Sequence, residues 1–357
     1  MMKKYLSLLK VMIKKWLNLL NIILHVFQVR RMLKMAQHRP LWLQVETINA
    51  CNSRCIFCSY PMMKRPPQVL ALEIFEKVIG EYSQMGGGAV SLTPIGGDPL
   101  LDPLLIKRFE VLSRYQNINQ ISFTTNGIAF GKYSDEELKF ILKNTFLVQL
   151  SVGGLDPAGY KDLYGVDQLD NVLASIERLL KIKESIHDDV IIYLTFRTND
   201  PLFKKTYSKE LEIFKQQGLI LSDMSVYMNY GGMVKNDPNK KLVIIEADSW
   251  IKSDPCVMPL GLITVMSNGL ITGCGCVNMN GDCLIIGNAK HESLQACWEG
   301  LQRRNLLATF KQGHLIDLCK KCSAYQGSSS IFAKSIFKKF YSYQQVPLEF
   351  YLSFTGG

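Results

Sequence analysis

The first 39 residues contain no Asp or Glu, although they hold nine of the chain's 41 Lys and Arg residues. The formal net charge of +10 therefore belongs to that segment, because the remainder carries 32 basic against 31 acidic residues. A near-neutral body argues against a nucleic-acid groove as a main feature. Residues 3–35 also lack Pro and Gly, the two strongest helix breakers. Their longest uncharged run, Trp16–Val29, is 14 residues, short of the roughly 20 that span a bilayer as a helix. No small-residue cleavage site follows it, which argues against a secretory signal. No Cys lies between Cys58 and Cys256, and none follows Cys322. The chain has no internal repeat and no low-complexity tract. Its 357 residues, 47% of them hydrophobic, describe a folded protein of two domains, or one large domain with an appendage.

Within the acid-free segment the polar residues Ser7, Lys10, Lys14, Asn18, Asn21, His25 and Gln28 recur every 3.5 residues on average. They form one narrow stripe of a helix whose other faces carry Leu8, Trp16, Leu20 and Phe27. A basic amphipathic helix with a Trp suits the surface of an anionic membrane. Packing against the folded body or a second subunit is the alternative.

The ten cysteines are unevenly spread. Cys51, Cys55 and Cys58 stand in a C-x3-C-x2-C spacing just after a strand-like run, Leu41–Ile48. Three thiolates this close can wrap one face of a cubic four-iron, four-sulfur cluster but cannot close it, since such clusters normally take four. The iron left over is open to a small molecule. A structural zinc loop is the alternative, but zinc sites usually pair C-x2-C with a second such pair or with histidines. Thiolate ligands require a reducing compartment, so a cytoplasmic protein, with peripheral membrane contact through residues 3–35, is expected.

From Pro40 to about Asn229 strand and helix patterns alternate, as a parallel α/β fold requires. Strands are expected at Leu41–Ile48, Ala89–Ile95, Gln120–Thr125, Leu147–Val152, Val190–Arg197 and Met224–Met228. Helices are expected at Leu72–Tyr82, Leu104–Tyr115, Asp135–Asn144, Leu169–Glu184 and Ser208–Gln217. In parallel α/β folds the active site lies at the C-terminal strand ends. Polar and glycine-rich motifs fall there: Gly96-Gly97-Asp98-Pro99, Thr124-Thr125-Asn126-Gly127, Ser151-Val152-Gly153-Gly154 and Arg197. Taken singly, the first is also compatible with an ordinary Gly–Pro turn, and a lone strand-end Arg with a surface ion pair.

Seven more cysteines lie at 256, 274, 276, 283, 297, 319 and 322. Residues 263–272 alternate around Asn268-Gly269, a two-residue hairpin signal that would bring Cys256 and Cys274 together. Cys319 and Cys322 form a C-x2-C pair. The chain is expected to divide into a helix over 1–38, an alternating β/α domain over 39–235, a cysteine-rich domain over 236–327 and an aromatic tail over 328–357.

These motifs resemble the radical S-adenosyl-L-methionine (SAM) enzyme superfamily. Phe57 just before the third cysteine, the GGEP-like Gly96–Pro99, the TNG turn at Asn126 and the Tyr160-x4-Gly165 spacing all match. The resemblance implies a partial (β/α)6 TIM-like barrel, SAM on the open iron of a 4Fe-4S cluster, and cleavage of SAM to methionine and a 5′-deoxyadenosyl radical. It places Phe57 against the adenine, Gly96, Gly97, Asp98 and Pro99 at the SAM amino group, Ser151 at the ribose and Arg197 at the SAM carboxylate. Asp98 stands where the family has Glu, one methylene longer. Asn126 is expected to make the turn or to support the residues that form the site, and not to take part in the chemistry.

Cys256-x12-Gly269-x4-Cys274 followed by C-x2-C resembles the SPASM domain in its shortened twitch form. That implies a second, auxiliary 4Fe-4S cluster on Cys256, Cys274, Cys319 and Cys322, with Cys276, Cys283 and Cys297 spare. Zinc on the same four thiols is the alternative. The implied activity is a radical SAM oxidoreductase that dehydrogenates a carbohydrate- or cyclitol-like alcohol, as a twitch-bearing aminocyclitol dehydrogenase does. An auxiliary cluster would accept the second electron, and a reductant such as flavodoxin or ferredoxin would supply the first. Peptide maturation, sugar epimerisation with a spare thiol returning the hydrogen, and a non-catalytic iron-sulfur protein are the competing readings.

Overall fold

The computed structural model describes residues 27, 30–186, 189–237, 242–245, 252, 254–275 and 277–328. The amphipathic helix expected over 3–35 lies mostly outside them, although residues 30–35 are helical. The tail beyond 328 and the spare thiol Cys276 also lie outside the described residues. Among the described residues, no helix is long and apolar enough to cross a membrane.

Six strands run in parallel order: β1 (Trp42–Val45), β2 (Ala89–Ser91), β3 (Gln120–Thr125), β4 (Leu147–Gly153), β5 (Ile191–Arg197) and β6 (Ile220–Met224). Between them lie α1 (Leu72–Gln84), α2 (Leu105–Leu112), α3 (Asp135–Lys143), α4 (Pro157–Tyr164), α5 (Leu169–Ile186), α6 (Phe203–Thr206) and α7 (Ser208–Gln216). The expected barrel helices are present within a few residues of their sequence-based bounds. Their apolar stripes explain the packing. On α1, Phe75, Val78, Ile79 and Tyr82 recur at helical spacing and are buried. Helix α3 starts on a capping box, Ser134 with Glu137, and α4 starts on Asp156 with Pro157 in its first turn.

The sixth strand differs from expectation. Residues 224–228 were expected to carry it, but β6 ends at Met224, which pairs with Arg197 of β5. Val226–Tyr227 (β7) leaves the sheet and pairs with Val243–Ile244 (β8). As the edge of the sheet, β6 has no fully buried residue, so its sequence, Ile-Leu-Ser-Asp-Met, lacks the alternation that marks a buried strand.

The hairpin near Asn268-Gly269 forms from β9 (Leu262–Val265) and β10 (Leu270–Thr272). Its loop holds three residues and not two. Met266 N–H donates to Leu270 O at 2.9 Å, Gly269 N–H donates to Met266 O at 2.8 Å, and Gly269 takes φ 86°. A left-handed glycine closing a type I turn is the usual three-residue solution. β10 pairs on with β11 (Ile285–Asn288), while β9 lies parallel to β1, Trp42 against Leu262 through Val45 against Val265. One nine-stranded sheet, β11-β10-β9-β1-β2-β3-β4-β5-β6, thus crosses the sequence boundary at 235/236. α8 (Val257–Gly261), α9 (Leu294–Glu299), α10 (Leu301–Lys311) and α11 (Asp317–Lys321) complete the C-terminal part. Trp298 is fully buried there beneath the Arg303 guanidinium, 3.4 Å from its ring centroid.

Candidate metal centres

The cysteine loop is held by the end of α4. Arg54 N–H donates to Tyr164 O and Ile56 N–H to Leu163 O, both at 2.9 Å, and Ser53 Oγ donates to Tyr164 O at 3.2 Å. Gly165 ends the helix at φ 67°, and a Cβ there would lie 2.9 Å from Arg54 O. The Tyr160-x4-Gly165 spacing is therefore a docking device: the tyrosine ring packs on Gly153, and the glycine admits the loop.

Gly96-Gly97-Asp98-Pro99 closes on the backbone that enters the same loop. Asp98 N–H donates to Ala50 O at 2.8 Å, and Gly97, at φ 149°, has Ile48 O 2.9 Å from where a Cβ would stand. The Asp98 carboxylate is buried and already engaged. Leu100 N–H donates to it at 3.0 Å, Asn126 N–H at 2.8 Å, and Thr125 Oγ1 lies 2.9 Å from both oxygens. Those three donors leave room for one more on its four lone-pair positions. Burial pushes the Asp98 carboxyl up despite those bonds. Asn126 makes the turn, accepting from Ile128 N–H at 3.0 Å, and supports the loop as well: Nδ2 donates to Asn52 Oδ1 at 2.7 Å and lies 3.7 Å from Cys51 Sγ.

Ser151 and Arg197 meet at adjacent strand ends. Arg197 Nε donates to Ser151 Oγ at 3.1 Å, and Ser151 Oγ is 2.9 Å from Tyr164 Oη. The guanidinium carbon stands 5.3 Å from the Phe57 ring centroid and 5.9 Å from that of Tyr227. Phe57 is 7% exposed, stacked on Tyr227 at 4.8 Å and edge-on to Tyr164 at 5.4 Å. Among the described residues Arg197 has no carboxylate partner within ion-pair distance. Burial raises all three thiols of the loop, Cys55 to about 12, while the Arg197 charge pulls Cys55 and Cys58 the other way. Such thiols surrender their protons when metal binds.

Sequence reasoning missed Tyr164, Tyr227 and a buried ion pair. Arg65 binds Glu46 through two bonds, 2.6 and 2.9 Å, with Glu46 fully buried just past β1. Glu46 also accepts from Ser267 N–H, Ser267 Oγ and Gly96 N–H, and Arg65 Nε donates to Met279 O at 2.7 Å. The pair ties the hairpin loop to the Gly96 turn. Its only sequence signal is an acid at a strand end, and that names no partner.

The C-terminal thiols gather from three segments. Cys256, Cys274, Cys319 and Cys322 line one pocket, partly open to solvent, whose other walls include Val277, Leu284, Phe310 and Tyr325. Hairpin β9–β10 brings Cys274 back towards Cys256, and α11 presents the C-x2-C pair. Burial raises Cys256 to about 11 and Cys322 to about 12, with neighbouring thiols adding to the shift. Four thiols around an apolar pocket are a donor set that fits a four-cysteine iron-sulfur cluster. Cys283 lies beside this group, its Sγ 3.2 Å from Asn278 Oδ1, but does not line the cavity. Cys297 is buried against Gly287, where a Cβ would lie 2.2 Å from its sulfur.

The radical SAM superfamily model matches residues 45–198, and the iron-sulfur cluster-binding SPASM domain matches residues 256–323. This chain is a radical SAM protein with a SPASM domain. Radical SAM enzymes of this subgroup use a SAM-binding 4Fe-4S cluster, an auxiliary iron-sulfur cluster, SAM itself, a substrate and a reductant. Among curated relatives, the GTP 3′,8-cyclase of Desulforamulus reducens is 30% identical over 145 residues, 40% of this chain and 43% of that protein. The chain spans about half the length of the curated relatives it matches. Streptococcus suis SuiB bound to its precursor peptide SuiA superposes with TM-score 0.58 at 14% identity, covering 80% of this chain and 70% of SuiB. BtrN in complex with AdoMet and 2-DOIA superposes with TM-score 0.52 at 18% identity, covering 79% and 92%. At these identities the likeness is one of fold.

Proposed function

We propose that this radical SAM enzyme is an oxidoreductase that dehydrogenates a small-molecule alcohol of the carbohydrate or cyclitol class. The observation that carries the reading is the pairing of an open three-thiol loop with a separate four-thiol apolar cavity. When bound, the loop cluster and SAM supply a hydrogen-abstracting 5′-deoxyadenosyl radical, and an auxiliary cluster supplies an acceptor for the second electron. Cys51, Cys55 and Cys58 would hold the first cluster, and Cys256, Cys274, Cys319 and Cys322 the second. Arg197, with no acid partner among the described residues, would clamp the SAM carboxylate by parallel bonds. Ser151 would face the ribose, and Phe57, braced by Tyr227, the adenine. Gly96 and Gly97 would let the backbone come close to the amino group, where Asp98 has one acceptor position left. Pro99 fixes the turn that follows. A reductant of the flavodoxin or ferredoxin class would deliver the first electron.

A cyclisation of GTP, after the name of the curated relative, is the second reading, favoured by the 30% identity. Anaerobic turnover of the reconstituted enzyme with ring-deuterated cyclitols and sugars, and with deuterated GTP, separates the two. Deuterium in 5′-deoxyadenosine together with a ketone supports dehydrogenation. Deuterium drawn from GTP supports the second reading, and label from neither class sinks the first.

A further inference from the structure

The inward faces of the barrel strands carry a chemistry that the cluster sites do not use. On β3, β4 and β5 one set of side chains, among them Phe123, Leu150 and Phe196, is buried against the helices. The opposite set faces the hollow of the barrel, and much of it stays partly exposed although these are central strands. Barrel interiors of this kind are commonly filled by Val, Ile and Leu. Here the register aligns Thr124 with Gln149 and Tyr193, and Thr195 with Ser222, on that face. They are joined side to side: Thr124 Oγ1 to Gln149 Oε1 at 3.3 Å, Gln149 Nε2 to Thr195 Oγ1 at 3.0 Å, and Ser222 Oγ to Thr195 Oγ1 at 3.3 Å. Gln44 lies farther round the same face, with Nε2 donating to Thr93 O and Gly275 O.

Charge is nearly missing from this wall. Within the six barrel strands the charged residues are Arg197, at the rim, and Asp223, which turns outward to Lys204. Of the charges just above the wall, Glu46 is neutralised by Arg65, and Asp98 is held by three donors. A phosphorylated substrate needs Arg, Lys or a bound cation to offset its charge. An ammonium group needs an uncommitted carboxylate. This wall offers neither.

What it does offer is spare hydrogen-bonding capacity in fixed positions. Gln149 uses one N–H and one lone pair in the network and keeps a second of each, and the part-exposed hydroxyls of Thr124 and Ser222 can each bind again. Pre-ordered donors and acceptors that alternate over a few ångströms match the vicinal hydroxyls of a sugar or cyclitol ring.

We infer that the Thr124–Gln149–Thr195–Ser222 network is the substrate-binding wall, and that it selects an uncharged, polyhydroxylated ring over phosphorylated or cationic counterparts. The inference rests on the proposed reaction for the need of a substrate beside SAM, but its test does not require turnover. The test is calorimetric titration of anaerobic, cluster-loaded, SAM-bound protein without reductant. The probes are myo-inositol, D-glucose and N-acetylglucosamine, each beside its monophosphate, together with GTP. At least one neutral ring is expected to bind, tenfold or more tighter than its phosphate and than GTP. Gln149→Leu and the isosteric Thr195→Val should each weaken it about 3- to 10-fold, the cost of one neutral hydrogen bond. Iron content and melting temperature check that the variants fold, and Thr195→Val carries the test if Gln149→Leu does not. Asp223→Asn, on the outward face of β6, should bind like the parent protein. Tighter binding of a phosphate or GTP, binding by no neutral ring, or unchanged affinity in both folded variants would overturn the inference. Because binding is read without reductant, a protein that binds a neutral ring yet yields no 5′-deoxyadenosine would sink the proposed reaction alone.

Discussion

The cysteine loop after β1 takes three thiols from one short run, Cys51 to Cys58, and surrounds them with Arg197, Ser151, Asn126 and Asp98. The C-terminal cavity takes four thiols from three separate segments and surrounds them with Val277, Leu284, Phe310 and Tyr325. Both sets are buried enough to raise their thiols, so ligand type and burial do not distinguish the two. What differs is thiol count and the polarity of the neighbours. Three thiols beside a guanidinium with no carboxylate partner among the described residues suit a site that must receive a charged cofactor. Four thiols with apolar walls suit a site that supplies all four ligands of a cluster and leaves no iron for a small molecule.

The largest break in this comparison comes from removing the open site. Replacing Cys51, Cys55 and Cys58 with Ala together should abolish SAM cleavage and lower iron from roughly eight to roughly four per chain. Complete loss of iron would show that the two sites do not assemble independently. The converse change, Cys319→Ala, should also cost about half the iron but leave reductive SAM cleavage measurable, with ketone formation lost. If cleavage vanished too, the closed site would not be a mere electron acceptor.

Smaller changes sharpen the comparison at the level of single contacts. Arg197→Lys keeps the charge but loses the planar fork, and should weaken SAM binding roughly 10- to 100-fold by calorimetry. Asp98→Asn would turn an amide donor towards the N–H of Asn126 or Leu100. A loss of about 1–3 kcal/mol in denaturant unfolding of the metal-free protein is expected. The smallest effect is one of pH. Thiols that titrate near 9.0 when exposed are raised to about 12 at Cys55 and about 11 at Cys256 and Cys297. The folded state then holds protons that the unfolded state has already released. Metal-free protein should therefore be most stable below pH 9 and lose stability as pH climbs towards 11 and 12, which melting curves across that range would show. A flat profile would contradict the burial of these thiols.

Much of the barrel was legible because its signals are local. The helical stripe of Phe75, Val78 and Tyr82, the capping box at Ser134 and the alternation along β3 each sit within a dozen residues. The edge strand β6 was misplaced because a strand with both faces partly wet has no period to read. The hairpin turn came out one residue longer than Asn268-Gly269 suggested, because Gly269 closes a three-residue loop. Nothing near Leu262 in sequence announces that β9 will lie beside Trp42, and nothing near Glu46 names Arg65, Ser267 and Gly96 as its partners.

The sequence by itself determined the chemistry available to this protein. It set three closely spaced thiols in one place, a C-x2-C pair and two further cysteines in another, and glycines where loops must pass closely. Those are properties of residue type and spacing, which survive in a one-dimensional reading. Only the tertiary structure decided what the chemistry faces. It committed the Asp98 carboxylate to Thr125 and Asn126 and left Arg197 free of any described acid partner. It also turned hydroxyls and an amide of four strands onto one uncharged wall. Those outcomes depend on sheet register and strand order, and register is fixed by burying one face of every strand at once. No single segment carries that information.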